Sequence, residues 1–237
     1  MKETNRELPR TAAEMNTGRK TYVLFDLDGT LTDPAEGITN AVIYALTEMG
    51  VTPPPRESLY RFIGPPLADS FREFFPEERV QEAIDTYRVY FRSKGMFENT
   101  VYDGIPELLR TLRDSGMILA VATSKPEEFS VTILEHFGLA EYFTVIGGAD
   151  MAGKRGEKAQ VIRRTLDLLG VADPAEERFF MAGDRKFDME GAKAFGMTSL
   201  GVTWGYGSRK ELTDAGADFT ADTPADLLEQ ILQYDGN

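Results

Sequence analysis

One short stretch constrains this chain more than any other. At residues 22–33 it reads YVLFDLDGTLTD, an apolar run that ends in two carboxylates, Asp26 and Asp28, one residue apart. Side chains at i and i+2 of an extended segment point the same way. A strand carrying both acids at its end therefore aims two like charges into one space. A cation between them and further acids makes such a pair tolerable. Gly29 permits the sharp turn that must follow. Turn and cap formation is an alternative use of aspartates in strand–helix loops. It suits Asp33, but a single cap does not need two acids that face one way.

The rest of the chain supplies a frame for that strand. Near-continuous apolar runs at 117–123, 142–148, 178–184 and 198–205 read as strands covered on both faces. Amphipathic segments lie between them, at 105–113, 131–137 and 159–169. Strand–helix alternation predicts an α/β fold built on a parallel sheet, with YVLF as its first strand. From Pro34 to about Tyr102 the pattern changes. No strand-like run occurs there, three stretches have helical spacing, and Pro53-Pro54-Pro55 and Gly64-Pro65-Pro66 separate them. The expected organisation is an N-terminal tail at 1–20, a core at 21–34 and 103–237, and a smaller all-helical insertion at 35–102.

Three of these strands end in reactive side chains: Asp26 and Asp28; Thr123, Ser124 and Lys125; and Asp184, followed by Asp188. Ligands of open parallel sheets bind outside the carboxyl ends of the strands, so these residues converge on one edge. Oxygen ligands without His or Cys suit Mg²⁺, with Asp26, Asp28 and Asp184 as ligands. Asp188 and Lys125 stand behind them as supporting groups.

Composition removes several function classes. With no cysteine among 237 residues, disulfides, thiolate catalysis and Cys-ligated zinc are out, and a reducing cytoplasm fits. A formal charge of −13 disfavours a nucleic-acid polymer or an anionic membrane as partner. No apolar stretch approaches the roughly 20 residues of a membrane span. The first 20 residues are polar and lack the apolar segment of a signal peptide. The sequence is silent on oligomeric state.

FDLDGTLTD resembles the first motif of the haloacid dehalogenase-like superfamily, in its phosphatase branch. VATSK at 121–125 is similar to the second motif and MAGDRKFD at 181–188 to the fourth. The ending GADFTADTPADLLEQIL is similar to the closing strand and helix of phosphoglycolate phosphatase-like members. The resemblance covers the chain from about Tyr22 onward. It implies a Rossmann-like core with a mobile helical cap inserted after the first strand, and a small phosphorylated metabolite as partner. It implies that Asp26 attacks phosphorus, forming an aspartyl-phosphate, and that Asp28 protonates the leaving group and then activates water. Thr123, with Ser124 where the motif often has Asn, is implied as phosphate-binding, together with a lysine.

Two lysines compete for that place, because GKRGEKAQVI lacks the Lys-Pro pair common in the third motif. The helical spacing of Ala159, Ile162, Leu166 and Leu169 starts directly after Lys158. That favours Lys158, in the first turn of a helix, over Lys154. A Mg²⁺-dependent phosphatase acting on a phosphoglycolate-like phosphomonoester is the expected activity. A 5′-nucleotidase, a pyrophosphatase and a phosphomutase of the same family stay open. A dehalogenase does not need the second aspartate, and a phospho-accepting signalling domain does not need the helical insertion. His136, Trp204, Tyr206, Tyr87, Tyr90 and Phe91 are expected to pack.

Overall fold

A computed structural model describes residues 19–152 and 155–235. The proposed tail falls outside the described residues except for Arg19 and Lys20, and so does Lys154. Six parallel strands form one sheet in the order β5-β4-β1-β6-β7-β8. They are β1 (Thr21–Phe25), β4 (Ile118–Pro126), β5 (Val145–Ala149), β6 (Arg178–Gly183), β7 (Thr198–Val202) and β8 (Phe219–Ala221). The sheet is the doubly wound α/β core expected from the alternation.

Period-two alternation explains why β1 is apolar from Tyr22 to Phe25. Val23 and Phe25 join one hydrophobic cluster, with Leu119, Val121 and Phe180. Tyr22 and Leu24 join the other, with Ile162, Leu166 and Met181. Both faces are covered, so past Thr21 no position in the strand is left for a polar residue. Helices α6 (Lys158–Leu169) and α7 (Lys186–Ala194) contribute to the second cluster, and α4 (Ile105–Asp114), α5 (Glu127–His136) and α9 (Pro224–Asp235) to the first. Burying a Leu or Phe side chain contributes about 1.5–3 kcal/mol, so this two-sided burial dominates the stability of the sheet.

Between β1 and β4 the chain builds α1 (Ala35–Glu48), α2 (Leu67–Phe71) and α3 (Glu77–Tyr90), with a 3₁₀ turn at Arg56–Phe62 and a π turn at Phe91–Gly95. It is helical, as the spacing predicted, and its apolar faces extend the first cluster. One feature is absent from the sequence reading. The outgoing chain, β2 (Thr32–Asp33), pairs antiparallel with the returning chain, β3 (Thr100–Val101). Between the two passes of the segment, Gly37 and Gly95 touch backbone to backbone. A Cβ on Gly37 would lie 1.8 Å from the Gly95 carbonyl oxygen.

Strand limits differ at three places. β4 runs past Thr123 to Pro126, with its pairing to β5 interrupted between them. Residues 140–142 form a 3₁₀ turn, and β5 starts at Val145 instead of Tyr142. β7 stops at Val202, because the following WGYG turns across the sheet edge.

Candidate active site

The carboxyl edge of the sheet collects the acids. β1 ends at Phe25, but the Asp26 N–H still donates to the Ala182 carbonyl at 2.9 Å, which fixes Asp26 at the rim. The chain then turns within Leu27–Leu31, with the Leu31 N–H closing on the Leu27 carbonyl at 2.9 Å. Asp184 follows β6 directly, and Asp188 lies in the first turn of α7. There its carboxylate folds back to accept from the Arg185 N–H at 3.0 Å.

Asp26, Asp184 and Asp188 form one buried group whose carboxylate oxygens lie within 4.8 Å of one another. Asp28 does not belong to it. Its carboxylate is turned to the ammonium of Lys125, whose side chain is 6% exposed. The composition of the group thus differs from the expectation: Asp188 stands with Asp26 and Asp184, where Asp28 was placed. The i, i+2 rule holds only while the chain is extended, and the backbone leaves the strand before Asp28.

Lys158 is the first residue of α6, after a capping box between Glu157 and Gln160. Its side chain is 4% exposed, and its ammonium lies 3.0 Å from Asp26 Oδ1 and 2.8 Å from Asp188 Oδ1. It donates to the Ala122 carbonyl at 2.9 Å. One ammonium is thus shared between two buried carboxylate oxygens. Gly191 on α7 makes room for the lysine stem, since a Cβ there would lie 2.7 Å from Lys158 Cγ.

Electrostatics follow from this crowding. Burial raises the Asp28 carboxyl above its usual range, against the pull of Lys125. Burial, with the charges of Asp188 and Asp26, pushes Asp184 well above it. Burial also raises Asp188, opposed by Lys158. For Lys158, burial works against the charged form. Asp188 and Asp26 outweigh it and hold the ammonium above its ordinary value. The site is overloaded with negative charge that one lysine does not balance. Asp184 Oδ1 is buried without a donor, and the buried Oδ1 atoms of Asp26 and Asp188 share the single Lys158 ammonium. An oxygen-only set in need of positive charge fits Mg²⁺, and a bound ion would reverse these shifts.

Thr123, 2% exposed, ends the regular pairing of β4, and its Oγ1 accepts from the Lys125 N–H at 3.2 Å. Ser124 and Lys125 line the same cavity as Asp26 and Lys158.

The model of the family described as haloacid dehalogenase-like hydrolase matches residues 23–202. The chain belongs to that family. Relatives of this haloacid dehalogenase-like hydrolase include a 5′-nucleotidase of Pseudomonas aeruginosa. It is 44% identical over 214 residues, 89% of this chain and 95% of that one. The tyrosine-protein kinase PtkA of Mycobacterium tuberculosis is 43% identical over 185 residues, 78% of this chain but only 62% of the kinase. More distant relatives include phosphoglycolate phosphatases. Among solved structures, a predicted phosphatase from Clostridium acetobutylicum superimposes with a TM-score of 0.85 at 48% identity, covering 91% of this chain and 99% of that one. The chain is a phosphoric monoester hydrolase of this family.

In this hydrolase Asp26, Asp28 and Asp188 line a cavity of about 690 Å³. Its far wall comes from the helical segment, including Arg72, Ile84, Tyr87, Arg88 and Phe91. Tyr87 stacks on Phe91, with ring centroids 5.4 Å apart. The Lys125 ammonium sits 4.9 Å from the Phe91 ring centroid. Arg88 donates to the Met151 carbonyl at 2.9 Å, joining the segment to the core. Tyr87 and Phe91 thus face the cavity as well as packing. Tyr90 points elsewhere, donating to Glu98 at 3.0 Å. His136 is exposed at the end of α5, against Phe97 and Phe137.

The aromatic–glycine loop after β7 escaped the sequence reading as part of the site. Trp204 Nε1 donates to the Thr30 carbonyl at 3.1 Å, and the Tyr206 N–H to Asp184 Oδ2 at 2.7 Å. Asp33 accepts from the Ala35 N–H at 3.0 Å, the turn role expected of it, and also from the Tyr206 hydroxyl. The available signal was position: WGYG follows a strand at the edge where the acids collect.

Proposed function

We propose that this phosphatase hydrolyses a small phosphomonoester, with Mg²⁺, through a phosphorylated Asp26. The carrying observation is the convergence of Asp26, Asp28, Thr123 and Lys158 on one covered cavity. Asp26 attacks phosphorus as the nucleophile, and the bond from phosphorus to the ester oxygen breaks. Asp28, whose raised carboxyl favours the protonated form, gives its proton to that departing oxygen. Asp28, now ionised, takes a proton from water, whose oxygen attacks phosphorus. Inorganic phosphate leaves and the Asp26 carboxylate returns. Lys158 offsets charge on the transferring group, and the hydroxyls of Thr123 and Ser124 donate to its oxygens. Asp26, Asp184 and Asp188 would hold Mg²⁺, which neutralises phosphoryl charge and aligns the group.

In this reading residues 35–102 are a cap that opens and closes over a core of 21–34 and 103–237. A cytoplasmic location fits the lack of cysteine. No helix of the described residues is long and apolar enough to cross a membrane.

Among the substrates left open by the sequence, a nucleoside 5′-monophosphate has the most support. A two-carbon phosphoglycolate would leave most of 690 Å³ to water, whereas a base and ribose would use it. The relative at 44% identity is named for that substrate class. Transfer to a tyrosine hydroxyl is the second reading, favoured by the similarity to PtkA. The test is phosphate release from nucleoside 5′-monophosphates, phosphoglycolate and pyrophosphate, with a labelled-ATP assay on a tyrosine peptide alongside. The nucleotides should turn over fastest. Release from none of the esters would overturn the proposal.

A further inference from the structure

We propose that Tyr206 is a positioning residue that couples the acid cluster to the movement of the helical segment. Its backbone fixes Asp184, and its hydroxyl fixes Asp33 at the foot of that segment. The proposal rests on the reading of Asp184 as a metal-holding residue.

The loop 204–207 is built around Asp184. A Cβ on Gly205 would lie 2.5 Å from Asp184 Oδ2, and one on Gly207 would lie 1.8 Å from the Asp184 carbonyl oxygen. No other residue type lets the backbone approach this closely. Between these glycines, the Tyr206 N–H donates to Asp184 Oδ2 at 2.7 Å. That bond fixes one carboxylate oxygen and leaves Oδ1 unpartnered toward Asp26 and Asp188.

The same residue reaches the other way. Its hydroxyl donates to Asp33 in β2, where the chain passes into the helical segment. Its ring lies 6.3 Å from that of Tyr60, in the 3₁₀ turn of the segment. The residue after Asp184 touches the same patch: Arg185 donates to the Ile63 carbonyl at 3.0 Å. Asp184 is thus flanked, in space and in sequence, by residues that grip residues 60–63 and the β2 crossing. A shift of its carboxylate on taking up a cation moves the Tyr206 backbone. The half-buried hydroxyl bond carries that movement to Asp33. Hydrogen bonds to a carboxylate are among the stronger ones, so this link transmits force instead of yielding.

The test compares wild type with Tyr206→Phe, Asp33→Ala and Asp33→Asn. Phe97, 41% exposed beside the β3 crossing, is a chymotrypsin site. Trp204, the only tryptophan, reports on the loop by its fluorescence. In wild type, Mg²⁺ with orthovanadate should change Trp204 emission and slow cleavage at Phe97. Tyr206→Phe keeps the N–H to Asp184, so Trp204 should still respond to Mg²⁺, while the slowing of cleavage falls by roughly tenfold, the effect of losing one charge-assisted hydrogen bond, and by reciprocity the Mg²⁺ midpoint rises by up to about the same factor. Asp33→Ala should lose the slowing equally. Asp33→Asn keeps an acceptor oxygen and should retain most of it, an outcome that general loosening of the fold would not give. Identical protection in wild type and Tyr206→Phe, with the fluorescence response present, overturns the coupling alone. A wild type that gives no fluorescence response to Mg²⁺ overturns the metal reading, and the coupling with it.

Discussion

Replacing Lys158 with Met tests the electrostatics of the site most directly. The Lys158 side chain is only 4% exposed. Its ammonium stands 2.8 Å and 3.0 Å from two carboxylates and donates to a main-chain carbonyl at 2.9 Å. Methionine fills the channel beside Gly191 with an unbranched stem, so little cavity forms and charge is the variable that changes. Removing one partner of a buried ion pair costs about 3–5 kcal/mol, because the remaining charge stays buried. Against a total stability of about 5–15 kcal/mol this is a large fraction. In a chain of this length each kcal/mol moves the melting temperature about 2–4 °C, so the variant should melt roughly 6–20 °C lower without Mg²⁺. Added Mg²⁺ supplies the missing positive charge and should narrow the gap. It should not restore turnover, which should fall about 10²–10³-fold for the loss of one charge-stabilising donor. Differential scanning fluorimetry with and without Mg²⁺, and phosphate release, measure both effects. Melting within about 2 °C of wild type together with near-normal turnover would refute the reasoning. Normal Lys158→Met with a crippled Lys154→Met would move the phosphate role to Lys154.

Gly191→Ala gains about 0.5–1 kcal/mol of helix propensity but drives a methyl into the Lys158 stem, 2.7 Å away by construction. Turnover should drop several-fold with little change in melting temperature, and a steady-state assay decides it. Asp26→Asn should abolish turnover of every substrate with an unchanged circular-dichroism spectrum; wild-type-like phosphate release from it would sink the nucleophile assignment. Mg²⁺ at about 100 times its dissociation constant should raise the melting temperature by roughly 5–10 °C, an effect that chelator removes along with activity.

The sheet was legible because its strands are apolar on both faces, and the helices because their spacing and turn residues agree. Lys158 was legible for a similar reason, as the first residue of a helix whose face begins at the next position. What escaped depends on where the backbone stops being regular. Asp28 diverges from Asp26 because the chain turns between them. Asp188 joins the cluster because a helical first turn folds its carboxylate back onto the Arg185 N–H, and the motif did not rank it above Asp28. The partners of Tyr206 lie 22 and 173 residues away, beyond any local pattern. The β2–β3 pairing is two residues per strand, too short to register as alternation.

That small pairing has a consequence for how such a molecule can be remade. Thr32–Asp33 and Thr100–Val101 lie side by side, so the intervening segment departs from and returns to one spot on the core. Its ends are already adjacent, and the order of the six parallel strands does not depend on what lies between them. A graft there enters and leaves by a short two-stranded neck, and beyond it has to meet the core only where Arg88 now bonds Met151, Ile63 bonds Arg185 and the apolar faces join the first cluster. Recombination at this junction exchanges the helical wall of the cavity and leaves the acid cluster where it is.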